Sequence, residues 1–466
     1  VAFEQTHRWQ RRPRLSLTDF PMSTAPLLPF KASRPHARVA TADGRRHRIL
    51  QISKFFPPVM GGIETVALEI AEGLHRAGTV ADVLCSHQEA RTVDEQTAFG
   101  YTVVRAASLG RMLSTSMAPS MVTALRRLHA HRDIVHLHMP DPMAALAVLA
   151  IRPPARLVVH WHSDVIRQRI AMHAYRHLQD WVLRRADAII ATSDAYAESS
   201  EALRPFRHKV VTIPIGLSAE RYKPAAADVA AIRAEFPDKR IVYSLGRLAH
   251  YKGFDVLVRA ATSLPENCVV LIGGTGDLHA DLERQIISHG LRHKVHLLGH
   301  IPDSLVGAYF AACDVFCMPS TVRAEAYGVA IVEALMAGKP VVATDITGSG
   351  VPWVSKHRET GLNVPVANPV ALAAALCTLL ADTGLRRHYG QAASTRYQRE
   401  FKAEIMTQRI LGLYELLTHE PAVVEAFPFE PTQPVPQYAD LTDGTADVVL
   451  EATAFVPPVR RQVPVE

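Results

Sequence analysis

Arg247 and Lys252 stand five residues apart in Ile241-Val-Tyr-Ser-Leu-Gly-Arg-Leu-Ala-His-Tyr-Lys-Gly253. The apolar run Ile241–Leu245 reads as a buried strand, and Gly246 permits a tight turn at its end. Two cations leaving the carboxyl end of one strand can converge on one anion through charge-assisted hydrogen bonds. A diphosphate leaving group needs this, because charge builds on its oxygen as the bond breaks. Losing one fixed donor to such charge typically costs about 2.7–4 kcal/mol of transition-state stabilisation. The same spacing also fits a surface turn with two solvated cations. No Asp-x-Asp occurs in the chain, so the usual metal-holding carboxylates are missing. Two fixed cations and backbone N–H groups would then stand in for a metal, and no metal ligand is assigned.

A second constellation is Arg323-Ala-Glu-Ala-Tyr-Gly-Val-Ala-Ile-Val-Glu-Ala334, where Glu325 and Glu333 bracket seven residues. Gly328 breaks the segment, which predicts Glu325 in a loop and Glu333 on the first turn of the following helix. A carboxylate there can accept two ribose hydroxyls while the earlier one reaches a sugar. Two solvated glutamates are the alternative, but their neighbours Val329, Ile331, Val332 and Leu335 are apolar. Gly273-Gly-Thr-Gly-Asp277 lies between the strand Val269–Ile272 and a predicted helix Leu278–Ile287, so Gly274 could let a phosphate approach. Simple turn chemistry fits it equally. Gly299-His-Ile301 closes another strand, which would put His300 and Ile301 near a nucleotide base.

In the first half, Phe55-Phe-Pro-Pro-Val-Met-Gly-Gly-Ile-Glu-Thr65 follows a strand. Ile63, Val66, Ala67, Ile70 and Leu74 keep helical spacing, so Gly61 and Gly62 sit at a helix N-terminus with bare N–H groups. A tight strand-to-helix turn explains them as well. His136 and His138 end one strand, His160 and His162 another. Packed histidines are commoner than functional ones. The position of His162-Ser-Asp164 at a strand end favours His162, with His138 in reserve and His160 structural.

Short β-rich runs alternate with helical patterns from about Ile49 onward, the mark of doubly wound α/β units with parallel strands. The expected organisation is a basic disordered segment over 1–46 and a Rossmann-like acceptor domain over 47–217. A linker over 218–240 leads to a Rossmann-like donor domain over 241–400. A helix over 401–418 crosses back to the first domain, and an acidic, proline-rich disordered tail fills 419–466. Met22 is an alternative start, which would leave 1–21 outside the native protein. The 466 residues suffice for two cores. The net charge of +6 is uneven. Residues 1–48 hold ten Lys/Arg against three Asp/Glu, and those from Glu420 onward hold eight Asp/Glu against two Arg. The core lacks the basic, aromatic-studded stripe of a nucleic-acid binder. The five cysteines are scattered and read as buried thiols of a reducing cytoplasm. No apolar run reaches the roughly 18–20 residues of a membrane span.

Gly246-Arg-Leu with Lys252-Gly253, then Glu325-x7-Glu333, then Gly338-Lys-Pro-Val-Val342 resemble family 4 of the retaining glycosyltransferases, from about Ile49 to about Leu417. The resemblance implies a GT-B fold, two Rossmann-like domains facing a cleft. It also implies a nucleotide-diphosphate sugar donor (GDP- or UDP-sugar), metal independence, no cofactor and retention of configuration. It places the donor-phosphate cations at Arg247 and Lys252, the sugar-side glutamate at Glu325, the ribose glutamate at Glu333 and a sugar-approaching histidine at His162. Gly61 and Gly62 would face the donor phosphates and the acceptor, with Gly246, Gly274, Gly328, His300 and Ile301 in donor contact. It further implies a front-face reaction in which the leaving diphosphate helps deprotonate the acceptor; Glu325 as a nucleophile is the minority view.

Trp161-His-Ser-Asp-Val-Ile-Arg-Gln168, Gly350-Val-Pro-Trp-Val and Glu359-Thr-Gly-Leu362 are similar to bacterial mannosyl- and rhamnosyltransferases of surface polysaccharides. Mannose is therefore the first expectation for the sugar, ahead of glucose or an N-acetylhexosamine, and a lipid-linked saccharide one expectation for the acceptor. Val165 to Asp187 carries Arg167, Arg169, Arg176, Arg184 and Arg185 beside Ile170, Leu178, Trp181 and Leu183. Such a helix could lie on the anionic inner face of the plasma membrane, or be a solvated face of a cytoplasmic enzyme. The competing classes are a GT-B nucleotide-sugar epimerase, a non-catalytic binder, and a glycosyltransferase with a small soluble acceptor.

Overall fold

In the computed structural model, which describes residues 47–59, 61–112, 115–164 and 169–418, the apolar runs become strands of two sheets. The expected disordered segments over 1–46 and 419–466 lie outside the described residues. The first half contributes β1 (Ile49–Ser53), β2 (Ala81–Ser86), β3 (Val93–Gln96), β4 (Thr102–Ala106), a hairpin of β5 (Arg111–Met112) and β6 (Thr115–Ser116), β7 (Ile134–Met139), β8 (Arg156–Trp161), β9 (Ala188–Ala191) and β10 (Val210–Thr212). The second half contributes β11 (Arg240–Leu245), β12 (Cys268–Gly273), β13 (Val295–Gly299), β14 (Val315–Met318), β15 (Val341–Thr344) and β16 (Gly361–Val364).

The first sheet runs β10-β9-β8-β7-β1-β2-β4-β3, and the second β13-β12-β11-β14-β15-β16. Within these two sheets pairing is parallel except where β3 meets β4; β5 and β6 form a separate antiparallel hairpin. Strand order reverses between β1 and β7 in one sheet and between β11 and β14 in the other. Doubly wound sheets open their ligand crevices at the carboxyl ends of such strands. The segments ending these four strands are those that hold the glycine loop, the histidines, the two cations and the Glu325 loop.

Helices cover both faces. They are α1 (Gly62–Arg76), α2 (Ser120–Leu128), α3 (Pro142–Ile151), α4 (Arg169–Arg185), α5 (Asp194–Ser199), α6 (Ala226–Glu235), α7 (Phe254–Ala261), α8 (His279–Ser288), α9 (Asp303–Ala312), α10 (Val329–Met336), α11 (Val351–Val354), α12 (Pro369–Ala381), α13 (Thr383–Glu400) and α14 (Ala403–Thr418). Strand alternation sorts the first sheet's side chains cleanly. Val135, Leu137, Val159 and Trp161 pack with α2, α3 and α4 in one core. Ile134 and Val158 face the other way, into a core that continues through α1 and α14 to the second half.

Three findings depart from the sequence reading. Strands β3 and β16 carry no apolar run because they are sheet edges; β3, Val-Asp-Glu-Gln, is largely exposed. The segment 218–240 is more than a linker. Its helix α6 buries Ile232, and Arg233 pairs with Asp314 at 3.0 Å. The apolar side chains described on α4 also point inward: Leu183 is fully buried, and Leu178 and Trp181 pack against the first core. Arg176 and Arg184 remain exposed. Among the described residues no single helix is long and apolar enough to cross a membrane.

The chain end returns to the first half. Leu217 N–H donates to Phe401 at 2.9 Å, Ala403 N–H donates back to Leu217 at 3.1 Å, and α14 packs along α1.

One glycine fixes the approach of β14 to the loop after β11. Gly253 has φ +67, and a Cβ there would fall 2.0 Å from the Pro319 carbonyl oxygen. Gly253→Ala should destabilise the protein by at least about 1–2 kcal/mol, the left-handed backbone cost for an L-residue, read as a lower midpoint in urea unfolding.

Candidate active site

The loop after β11 is shaped by close backbone approaches. Gly246 N–H donates to Gly273 at 3.0 Å, and Gly274 N–H to Gly299 at 2.7 Å. Gly274 has φ +129, and a Cβ on it would sit 1.9 Å from the Gly246 carbonyl oxygen, so only glycine lets these two loops touch. A short 3-10 turn, His250–Lys252, then folds Lys252 back over Gly246, its Cε 3.1 Å from where a Cβ would be.

There Lys252 Nζ lies 2.6 Å from Glu325 Oε2, with both side chains largely buried. Ser320 Oγ donates to the same oxygen at 3.0 Å. Burial opposes the Lys252 ammonium, but the charge and hydrogen bond of Glu325, helped by Tyr251, hold its pKa above the ordinary value despite repulsion from Arg247. Arg247 is exposed, and its guanidinium lies 5.8 Å from the Tyr251 ring centroid, with Lys252 Nζ 5.5 Å from the same ring. The structure thus brings Arg247, Lys252 and Glu325 together.

Glu333 sits on the fifth residue of α10, in its second turn and not in the first as expected, because the helix begins only at Val329. Gly328, with φ +86, caps it. Glu333 is 8% exposed. Desolvation pushes its carboxyl up to about 7, while a hydrogen bond from Tyr222 and the charge of Lys252 work against the rise. Tyr222 comes from the segment read as a linker, and nothing in its local sequence marks it. Ile301 is buried against Gly273, and His300, just past the end of β13, is exposed.

Across the cleft, Gly61 is extended with φ −177, so its freedom from a side chain serves close approach: a Cβ would lie 2.6 Å from Glu64 Oε2. At Gly62 a Cβ would lie 3.9 Å from Val329 Cγ2, which sets the glycine loop of the first half against the start of α10. The two halves are also joined at Asp164, two residues after His162. Its carboxylate receives Arg323 Nη1 at 3.0 Å, Trp161 Nε1 at 3.0 Å and Ser200 Oγ at 2.7 Å. Arg323 lies over the Tyr196 ring at 4.7 Å. The loop carrying Glu325 is therefore tied to the loop carrying His162. Both partners stood in quoted motifs, yet no spacing rule pairs residues so far apart in sequence.

The histidines form a buried stack. His160 and His162 lie 4.3 Å apart and 7° from parallel. Ring nitrogens of His136, His138 and His160 come within 4.8 Å of one another; both nitrogens of His136 and of His138 have hydrogen-bond partners, whereas His160 Nε2 has none. His136 Nδ1 meets Tyr414 Oη at 2.5 Å and its Nε2 meets His160 Nδ1 at 3.2 Å. His138 engages Gln51 and His162.

The raised Glu333 pKa has a consequence for stability. Between the ordinary 4.5 and about 7 the folded state keeps a proton that the unfolded state has lost, so stability should fall as pH rises through that window and level off above it. Glu333→Gln should remove this slope in denaturant titrations run across the same range.

The chain matches two families, one described as glycosyl transferase 4-like domain over residues 61–216 and one as glycosyl transferases group 1 over 228–396. It is 33% identical to the D-rhamnosyltransferase WbpZ of Pseudomonas aeruginosa, over 76% of this chain and 92% of the relative. With the O-antigen chain mannosyltransferase C of Escherichia coli it shares 29% identity over 79% and 98% of the two chains. Among solved structures, sucrose-phosphate synthase from Thermosynechococcus elongatus superposes with a TM-score of 0.69 at 23% identity, over 80% and 99%. With two parallel-sheet lobes and Arg247, Lys252 and Glu325 at strand ends of the second, the chain belongs to the group 1, family 4 glycosyltransferases of GT-B fold.

Proposed function

We propose that this enzyme moves a hexose, mannose first, from a nucleotide-diphosphate donor to a saccharide carried on lipid, with retention of configuration and without a metal. The observation that carries the donor half is the Lys252–Glu325 pair beside Arg247 at the carboxyl end of β11. An ammonium held in its charged form next to a second cation meets the diphosphate, and both stabilise the charge that builds on its leaving oxygen. Glu325 is released toward the sugar as the diphosphate competes for Lys252. Glu333 accepts the ribose hydroxyls, a role that requires its ionised form. His162, at the end of β8, approaches the donor sugar, and the Gly61-Gly62 loop borders phosphate and acceptor. The departing diphosphate oxygen takes the acceptor proton on the same face, so no side chain is needed as a nucleophile. Two relatives named for O-antigen mannose and for D-rhamnose transfer support surface-polysaccharide assembly as the process, and we place it on the cytoplasmic side of a membrane. Contact with anionic lipid rests on exposed arginines such as Arg176 and Arg184.

Thermal-shift and turnover screening against GDP-, UDP- and dTDP-sugars tests the donor; the expected response is to GDP-mannose. Lys252→Ala should lower kcat by about 100-fold or more, the loss typical of one donor to developing charge, and unchanged activity would remove the clamp from the reaction. Nucleotide affinity should rise with pH as Glu333 ionises near 7, measured by calorimetry on either side of that value.

A further inference from the structure

The structure assigns Gln51 and His138 as positioning residues that fix the tautomer of His162, holding it as an Nε2–H imidazole whose Nδ1 accepts a hydrogen bond from a sugar hydroxyl. The functional half rests on the reading of His162 as facing the donor sugar; the tautomer half rests on geometry alone.

Gln51, His138 and His162 stand on β1, on β7 and at the end of β8, three neighbouring strands, and on one face of the sheet. All three are almost fully buried. The Gln51 amide has a fixed orientation, because its Nε2 faces the carbonyl oxygen of Ala67 at 3.4 Å and only an N–H can face a carbonyl there. Its Oε1 is thereby turned to His138 Nε2 at 3.0 Å. An amide oxygen only accepts, so His138 carries its proton on Nε2. Burial drives His138 far below its ordinary pKa and His162 down to about 3, so each ring is neutral and holds one N–H. His138 Nδ1 then has a lone pair, and the contact at 2.9 Å requires His162 Nε2 to donate. The proton of His162 is thus committed inward, and its Nδ1 keeps the lone pair. A histidine tautomer is set in this way by the partner of its other nitrogen. Ala67 belongs to α1, the helix opened by Gly61 and Gly62, so the element behind the glycine loop also orients the histidine.

The test uses the full chain labelled with 15N-histidine, with His162→Asn to identify the His162 ring signals. The unaltered protein should show His162 protonated on Nε2 across neutral pH. Gln51→Met, similar in size but without an acceptor, should release the relay and populate the Nδ1–H form. Gln51→Glu, which keeps an acceptor oxygen, should retain the Nε2–H form. A proton on His162 Nδ1 in the unaltered protein, or an unchanged tautomer in Gln51→Met, overturns the relay. The first measurement decides even where Gln51→Met does not fold. With GDP-mannose, Gln51→Met should lose about tenfold in kcat, the factor carried by one ordinary hydrogen bond, at unchanged KM. A tautomer change with full turnover overturns the functional half. Absence of GDP-mannose turnover in the unaltered enzyme counts against the proposed donor, and the ring signals still decide the relay.

Discussion

The ammonium of Lys252 against the carboxylate of Glu325 is the contact on which the second half of this molecule is organised. Taking two ions from water costs several kcal/mol per ion before their attraction offsets it, so such a pair adds little net stability. Its consequence is chemical. Two strand ends that are neighbours in the sheet, β11 and β14, present opposite charges at 2.6 Å. Everything around it serves to hold that distance. Gly253 lets Lys252 turn back beneath Pro319, Gly274 lets the next loop close over Gly246, and Ser320 takes up the same carboxylate oxygen. The cation is thereby held desolvated and in one position.

The first sheet solves a different problem. Alternation along β1, β7 and β8 places Gln51, His136, His138 and His160 where an ordinary sheet would bury apolar side chains. The sheet tolerates them because nearly every ring nitrogen has a partner in another ring, in Gln51 or in Tyr414 from the returning helix α14. A satisfied buried network rigidifies its members, and here it ends at His162, beside the cleft. His160 Nε2 is the exception, buried without a partner, and the structure offers no physical account of it.

The two sides are coupled by contacts that belong to neither sheet. Asp164 and Arg323 tie the loop after β8 to the loop of Glu325. Tyr222, in the segment between the sheets, reaches Glu333. Leu217 bonds with the chain at Phe401 and Ala403.

The amino-acid sequence alone determined the parallel α/β character, because continuous apolar runs between helical patterns can be buried only as such strands. It also located Arg247, Lys252, Glu325 and Glu333, because glycines at strand ends mark where polar side chains emerge near one another in sequence. It missed β3 and β16, whose edge positions need no apolar run. It left the Arg-rich helix open between a lipid-facing and a solvated reading, whereas Leu178, Trp181 and Leu183 pack inward, since periodicity shows that a stripe exists but not what covers it. Only the tertiary structure paired Lys252 with Glu325, Asp164 with Arg323 and Gln51 with His138. Those partners are 73, 159 and 87 residues apart in sequence. No local pattern encodes such contacts; they exist because strand order in the two sheets, and the packing between them, bring distant strand ends to one crevice.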